Sequence, residues 1–402
     1  MKWMDDDLAE RKRRGLLRKR RSLQSAQGVR IRWRGRDLLN FASNDYLNLA
    51  ADQRLARAAA RAAYRYGSGA GASPLVAGYL PPLRKLERDL AAWEGTEAAL
   101  VFSSGFAANL ALVSALTERE DAIFSDALNH ASLVDGCRLA RCPVHVYRHT
   151  EVGHLEDLLR SAGKKARRRL IATDTVFSMD GDLAPLRELI ELAERYDCML
   201  LIDEAHATGV LGEQGRGATD LLPPRVKLDP NRLIKIGTLS KALGSQGGFV
   251  CGSRRLIDWL INRARPYIFS TALAPPCAAA ARRAVRIVRD EPECRRRLQG
   301  LPALLREQLI KNGMDSGSSQ TQIVPVVVGA ARGVVRLAAA LRRQGLFVPP
   351  IRPPSVPEGT ARLRVSVTAG HSEEDVHRLV AALRANMCHI ASKNMPWSTS
   401  PR

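Results

Sequence analysis

The chain has 402 residues, 45% of them hydrophobic, and 62 basic against 41 acidic side chains give it a net charge of +21. That length suits about two domains around a large core rather than one small module. No apolar run approaches the roughly 20 residues that span a bilayer, and seven scattered cysteines without a Cys-x-x-Cys pair suggest neither a zinc site nor a disulfide framework. The opening residues Met1-Lys2-Trp3-Met4-Asp5-Asp6-Asp7 lack the apolar core of a signal peptide, so a cytoplasmic location is expected and no membrane association. The positive charge favours anionic partners: nucleic acid, phosphorylated cofactors or an acidic protein. Arginine-rich texture, as in Arg57 to Arg65 and Ala278 to Arg289, also follows from genomic base composition, and no nucleic-acid recognition motif accompanies it. Nucleic-acid binding is therefore not expected.

In chain order, Leu8 to Ser22 reads as a basic amphipathic helix and Val29 to Trp33 as a half-exposed strand. From about residue 52 the pattern becomes strand, turn, helix. Ala98 to Phe102 runs through Ser103-Ser104-Gly105 into a helix from Phe106 to Leu116. Ala122 to Ser125, Leu170 to Thr173, Met199 to Ile202 and Leu233 to Ile236 are further apolar runs. They are continuous rather than alternating, as in strands buried on both faces of a parallel sheet. Pro185 to Tyr196 is a crossover helix. Beyond Glu291-Pro292 the pattern is α+β: helices at 301–312 and 334–344, strands at 322–328 and 362–368, and a helix opened by Ser372 as N-cap. The expected division is an N-terminal segment 1–51, a large α/β domain 52–291, a small α+β domain 292–390 and a tail 391–402.

In an open parallel sheet, ligands sit beyond the carboxyl ends of the strands, so the polar residues after each apolar run are the ones to read. Asp203 follows Met199 to Ile202, with His206 three residues on, and Lys241 follows the next strand in Gly237-Thr238-Leu239-Ser240-Lys241. Pyridoxal phosphate needs a lysine to hold it as a Schiff base and a carboxylate to keep its ring nitrogen protonated. Asp203 and Lys241 fit those roles; the bland alternative is a capping Asp and a surface Lys in a glycine loop. Ser103 to Ala107 lies between strand and helix, where backbone N–H groups bind anions. Thr238, Ser240 and the pair Ser270-Thr271 add candidate hydroxyl donors. His130, past Ala122 to Ser125, is either a helix cap or an imidazole against a cofactor ring. Ser178, past another strand end, could hydrogen-bond a phenolic oxygen.

The motifs Ala42-Ser43-Asn44-Asp45-Tyr46-Leu47, Ser104-Gly105-Phe106-Ala107-Ala108-Asn109, Asp203-Glu204-Ala205-His206-Ala207-Thr208-Gly209 and Thr238-Leu239-Ser240-Lys241 stand in this order along the chain. Together they make the sequence resemble the α-oxoamine synthases of the aspartate-aminotransferase fold type, over about Leu17 to Leu383. The resemblance implies a large, mostly parallel-sheet domain with a smaller α+β domain. It gives Lys241 the Schiff base, Asp203 the pyridine nitrogen, and His206 and Ser178 the phenolic oxygen. His130 would stack on the ring, and Thr238 with the backbone at Gly105-Phe106 would hold phosphate. Ser270-Thr271 would reach in from the partner of a homodimer. Asn44 and Arg364 would bind an amino-acid carboxylate, for which a guanidinium fork is suited. Arg18 matches a basic residue facing the far end of the acyl chain, although a solvated helix face is an equal reading of that arginine run.

The segment Ile351 to Arg364 looks most like the family member that condenses L-alanine with a pimeloyl thioester, a step toward biotin, with loss of CO₂ and thiol. Sister activities using glycine and other acyl thioesters stay open. An acidic acyl carrier protein is an expected partner for so basic a chain; no metal is expected. Three positions depart from the family pattern: Asn48 stands where Gly is usual, Ser355 where Thr is usual in a substrate-binding Arg-Pro-Pro-Thr segment, and Ser240 where some relatives have Gly.

Overall fold

The computed structural model describes residues 1–162, 165–224, 226 and 229–391, so the expected tail lies outside the described residues from 392 onward. In chain order the strands are β1 Arg30–Trp33, β2 Arg36–Asn40, β3 Ala98–Phe102, β4 Ala122–Asp126, β5 Val144–Tyr147, β6 Arg169–Asp174 and β7 Cys198–Asp203. They continue with β8 Leu233–Thr238, β9 Gly248–Gly252, β10 Ile323–Gly329, β11 Leu346–Phe347, β12 Pro350–Ile351 and β13 Ala361–Ser366. The chain forms two compact units. Among the described residues the larger comprises those within 49–178 and 183–295; the smaller gathers 1–48, 179–182 and 296–391.

The larger unit is built on a seven-stranded sheet of order β3-β9-β8-β7-β6-β4-β5. Strands β4 to β8 run parallel, and β9 alone opposes its neighbours β3 and β8. This is the mostly parallel α/β sheet that the continuous apolar runs predict: β3 and β4 are buried along their whole length, and so is β9, a strand outside those runs. Leu112, Ile123, Leu133, Leu170, Leu201, Ile234, Val250 and Leu260 form the cluster between sheet and helices. Each such side chain stabilises by about 1.5–3 kcal/mol on burial.

Local chemistry sets the helix ends. Ser104 caps Gly105–Leu116 by accepting the Ala107 N–H at 3.1 Å. Asp52 caps Gln53–Tyr66 through the Arg54 N–H at 2.7 Å, and Gly67 ends that helix at φ 83°. Among the described residues no helix is long and apolar enough to cross a membrane.

In the smaller unit β1 pairs antiparallel with β2, and β2 pairs parallel with β11; β10, β13 and β12 form a second three-stranded sheet. Ser372 opens the helix Glu373–Ala391 reciprocally, taking the Asp375 N–H at 3.3 Å while its own N–H reaches Asp375 Oδ2 at 3.1 Å.

Two expectations need correction. The N-terminal helix is Lys2–Arg13, not 8–22, because Gly15 at φ 73° ends it and the Leu16 N–H folds back to the Arg11 carbonyl at 2.8 Å. The helix expected at 301–312 begins at Glu293 and runs to Lys311 with Pro302 inside it.

Candidate active site

The carboxyl ends of the central strands carry the polar residues singled out above. Asp203 ends β7 and is 4% exposed. Its Oδ1 accepts the Ala205 N–H at 2.8 Å, and its Oδ2 accepts Asn109 Nδ2 at 2.6 Å. Asn109 lies one turn into the capped helix Gly105–Leu116, and its second amide hydrogen goes to Ser132 Oγ at 2.8 Å. With its oxygen so engaged, the Ser132 hydroxyl is free to donate to His130 Nδ1 at 2.7 Å, which also faces the Ser132 N–H. The chain Asp203–Asn109–Ser132–His130 therefore assigns Nδ1 as acceptor and leaves the imidazole proton on Nε2. Burial holds the His130 imidazole below its ordinary value, which keeps it neutral.

A second carboxyl stands beside this chain. Asp174 ends β6 in register with Asp203 and accepts the His130 N–H at 2.6 Å. Burial, and then the neighbouring Asp203, drive it well above the usual carboxylate range.

Lys241 lies three residues past β8, and its Nζ is 2.8 Å from His206 Nε2. The loop around it is held by Thr238, whose hydroxyl meets Ser240 Oγ at 2.8 Å and the Gly247 carbonyl at 3.0 Å. Thr238 also adjoins the helix start: a Cβ on Gly105 would lie 3.4 Å from its Oγ1. Gly248 opens β9 against the same point, and a Cβ there would sit 2.5 Å from the Gly105 nitrogen, so only glycine allows the approach. Thus Lys241, His206, Asp203, His130, Gly105 and Thr238 gather in the larger unit. Phe106, 44% exposed, meets the His130 ring edge-on at 6.4 Å, and Ser178 is half-buried. Ser270 and Thr271 lie in the same unit, beside the Ala272 N–H that reaches the Ala72 carbonyl at 3.0 Å.

The smaller unit contains the remaining candidates as two pairs. Arg364 on β13 is buried, and its guanidinium bonds Asn44 Oδ1 at 2.9 Å, Ser366 Oγ at 2.8 Å and Tyr46 OH at 3.3 Å. Arg18 Nη2 meets Ser355 Oγ at 3.2 Å on the surface. Arg352, held to the Gly15 carbonyl at 2.7 Å, lies below the ordinary guanidinium range through burial and then the charges of Arg18 and Arg21. Asn48 takes φ 57°, a left-handed turn that asparagine tolerates, so the departure from glycine keeps the turn.

Sequence reasoning missed Asn109, Ser132 and Asp174 as site residues. Asn109 stood in a quoted motif, polar on an otherwise apolar helix, and Asp174 ends an apolar run just as Asp203 does.

The family described as aminotransferase class I and II matches residues 36–383, and the chain belongs to it. Within that class it is 50% identical over 383 residues, 95% of each chain, to a protein of Anaeromyxobacter dehalogenans (strain 2CP-1 / ATCC BAA-258) named 8-amino-7-oxononanoate synthase. Among solved structures, a serine palmitoyltransferase from S. paucimobilis with bound PLP matches 97% of this chain and 98% of its own, with a TM-score of 0.91 at 28% identity. An 8-amino-7-oxononanoate synthase from Francisella tularensis covers 88% of this chain and 98% of its own, with a TM-score of 0.74 at 27% identity.

The residues suit pyridoxal phosphate on their own geometry. A glycine-lined approach at Gly105 and Gly248 leaves a helix N-terminus open to phosphate. A buried aspartate at the end of β7 and a lysine three residues past β8 supply the other two requirements.

Proposed function

We propose that this chain condenses L-alanine with a pimeloyl thioester, giving 8-amino-7-oxononanoate, CO₂ and free thiol on the route to biotin. The chemistry is supported by the pairing of Lys241 Nζ with His206 Nε2 at 2.8 Å and by a buried Asp203 whose oxygens are both engaged, and the choice of substrates by the likeness to relatives named 8-amino-7-oxononanoate synthase. Pyridoxal phosphate, when bound, supplies a carbonyl that condenses with amines and a ring that draws electrons from the amino acid's Cα.

The roles of the side chains follow. Lys241 would hold the cofactor by its carbonyl carbon, and its amine is the group that would take the Cα proton of the amino acid. Asp203 would keep the ring nitrogen protonated, and Asn109 holds that side chain in orientation. Neutral His130 would lie against the ring, and His206 and Ser178 would hydrogen-bond the phenolic oxygen. Thr238 and the N–H groups at Gly105-Phe106 would bind the phosphate, with Ser270 and Thr271 contributed across a homodimer. Arg364 and Asn44 take the alanine carboxylate. Arg18 and Ser355 face the free carboxylate of the pimeloyl chain; the mutually repelling Arg18, Arg21 and Arg352 favour an anion there. An acidic carrier protein presents the thioester. A cytoplasmic setting suits the free thiols of Cys137, Cys142, Cys198, Cys251, Cys277 and Cys294.

The test is a visible absorption titration of the cofactor-loaded protein with alanine and with glycine, followed by turnover with pimeloyl, acetyl, succinyl and long-chain thioesters. Spectral response and turnover with alanine and pimeloyl are expected. A preference for glycine and another acyl group overturns the substrate assignment but leaves the chemistry of Lys241 intact.

A further inference from the structure

Three helices of the larger unit, Gln53–Tyr66, Pro81–Glu94 and Pro275–Asp290, frame a surface groove of about 550 Å³ that has no role in the site above. Eight of its thirteen lining residues are arginine or lysine, and none is acidic. Arg54, Arg57, Arg61 and Arg65 recur at three- and four-residue spacing, so they form one stripe along their helix, about 16 Å long at 1.5 Å per residue.

Part of this charge is neutralised from outside the groove. Arg54 pairs with Asp52 and Glu291, and Asp89 takes Arg282 at 2.7 Å and Arg286 at 3.5 Å. Arg57, Arg61, Arg65, Lys85 and Arg283 have no ion-pair partner among the described residues. Like charges one helical turn apart repel, so the stripe costs stability as it stands and favours whatever brings negative charge.

Two of the segments that frame the groove also touch the loop that follows Lys241. Gly244, whose N–H meets the Lys241 carbonyl at 2.9 Å, abuts Ala50 at the head of the first helix, and Ser245 donates to the Cys277 carbonyl of the third at 2.8 Å.

We propose that this groove is the docking surface for the acidic carrier protein that presents the acyl thioester; the inference rests on the carrier-bound donor proposed above. The charges come from side chains along mid-helix faces, where the backbone N–H groups are already used within the helices. A long, open stripe of this kind complements carboxylates spaced along an acidic helix. A nucleotide's phosphates would call instead for a compact nest of free backbone donors.

The experiment is steady-state kinetics of the cofactor-loaded enzyme and of an Arg57→Glu/Arg61→Glu variant, with pimeloyl on an acidic carrier protein and with pimeloyl-CoA. The expected result is a KM for the carrier substrate raised at least about tenfold, while kcat and the KM values for pimeloyl-CoA and alanine stay within about twofold. An Arg57→Gln/Arg61→Gln variant should fall between. Raising salt from 50 to 300 mM should weaken the wild type toward the carrier and change the Glu variant little. An unchanged carrier KM overturns the proposal, and so does an equal rise for both donors, which would hand the groove to the phosphates of CoA. Binding of the fluorescently labelled carrier to each variant is measured alongside. If no pimeloyl thioester is turned over by the wild type, the function reading fails while this measurement still decides the groove, and a wild type that does not bind the carrier overturns it.

Discussion

The strand-end pocket and the basic groove lie in the same unit and handle charge in opposite ways. In the pocket each polar group answers another: Asp203 is met by Asn109 and the Ala205 N–H, His130 by Ser132, and Lys241 by His206. In the groove the charge is laid down in a stripe and partly left unanswered. The pocket works by position, where a shift of an ångström matters; the groove works by sum, where no single side chain is decisive.

Replacing residues in each region should break or sharpen that contrast. Lys241→Ala removes the proposed anchor and base, and turnover should fall by about 10⁴-fold or more. Product formation and the visible cofactor band measure it, and a variant that keeps both would end the reading. Asn109→Ala frees Asp203 and Ser132 at once. Its turnover should drop by up to about 100-fold in kcat, with the pH dependence of the cofactor absorbance displaced; loss of thermal stability with unchanged absorbance would demote Asn109 to packing.

A third kind of charge handling is seen at Glu87, buried on the helix Pro81–Glu94 with Tyr79 OH on one oxygen at 2.6 Å and the Val101 N–H on the other at 3.0 Å. Burial raises its carboxyl to about 7. The folded chain then binds a proton that the unfolded chain has released, so this stabilisation is complete below about pH 4.5 and is lost as pH rises through 7. The loss amounts to about 3 kcal/mol. Glu87→Gln does not titrate; its oxygen still accepts the Val101 N–H and its amide donates to a turned Tyr79 hydroxyl, so denaturant midpoints at pH 5 and pH 8 should show its advantage only at the higher pH. The smallest effect belongs to the groove. Arg61→Gln should stabilise by a few tenths of a kcal/mol at low salt and by nothing measurable at 300 mM, read from thermal midpoints.

Much of this was legible in the sequence, for identifiable reasons. Strands buried on both faces write themselves as unbroken apolar runs, so β3, β4, β6, β7 and β8 could be read directly, and the residues that follow them include Asp203 and Lys241. Strand β9 was not legible, because glycine at both ends of Gly248–Gly252 mutes the β signal. The pairing of β2 with β11 joins residues about 300 positions apart and leaves no local period to detect. The N-terminal helix was misplaced because a run of arginines and leucines was read through Gly15, which stops it. Asn109 was visible as a letter but not as a link, since its two partners come from segments 23 and 94 residues away. The arginine stripe was read as composition; only the packing of three helices turned its spacing into a surface.

The reversed direction of β9 has a mechanical consequence. Because it runs against both neighbours, its first residue, Gly248, pairs with Phe102 at the end of β3 and with Thr238 at the end of β8. The turn at Ser103 to Gly105, proposed to meet phosphate, and the turn that carries the lysine are therefore riveted to the same peptide. Bending or twisting of the sheet moves both together, so their separation is insulated from the breathing of the rest of the unit. A methyl group at that one position would act as a shim driven between them.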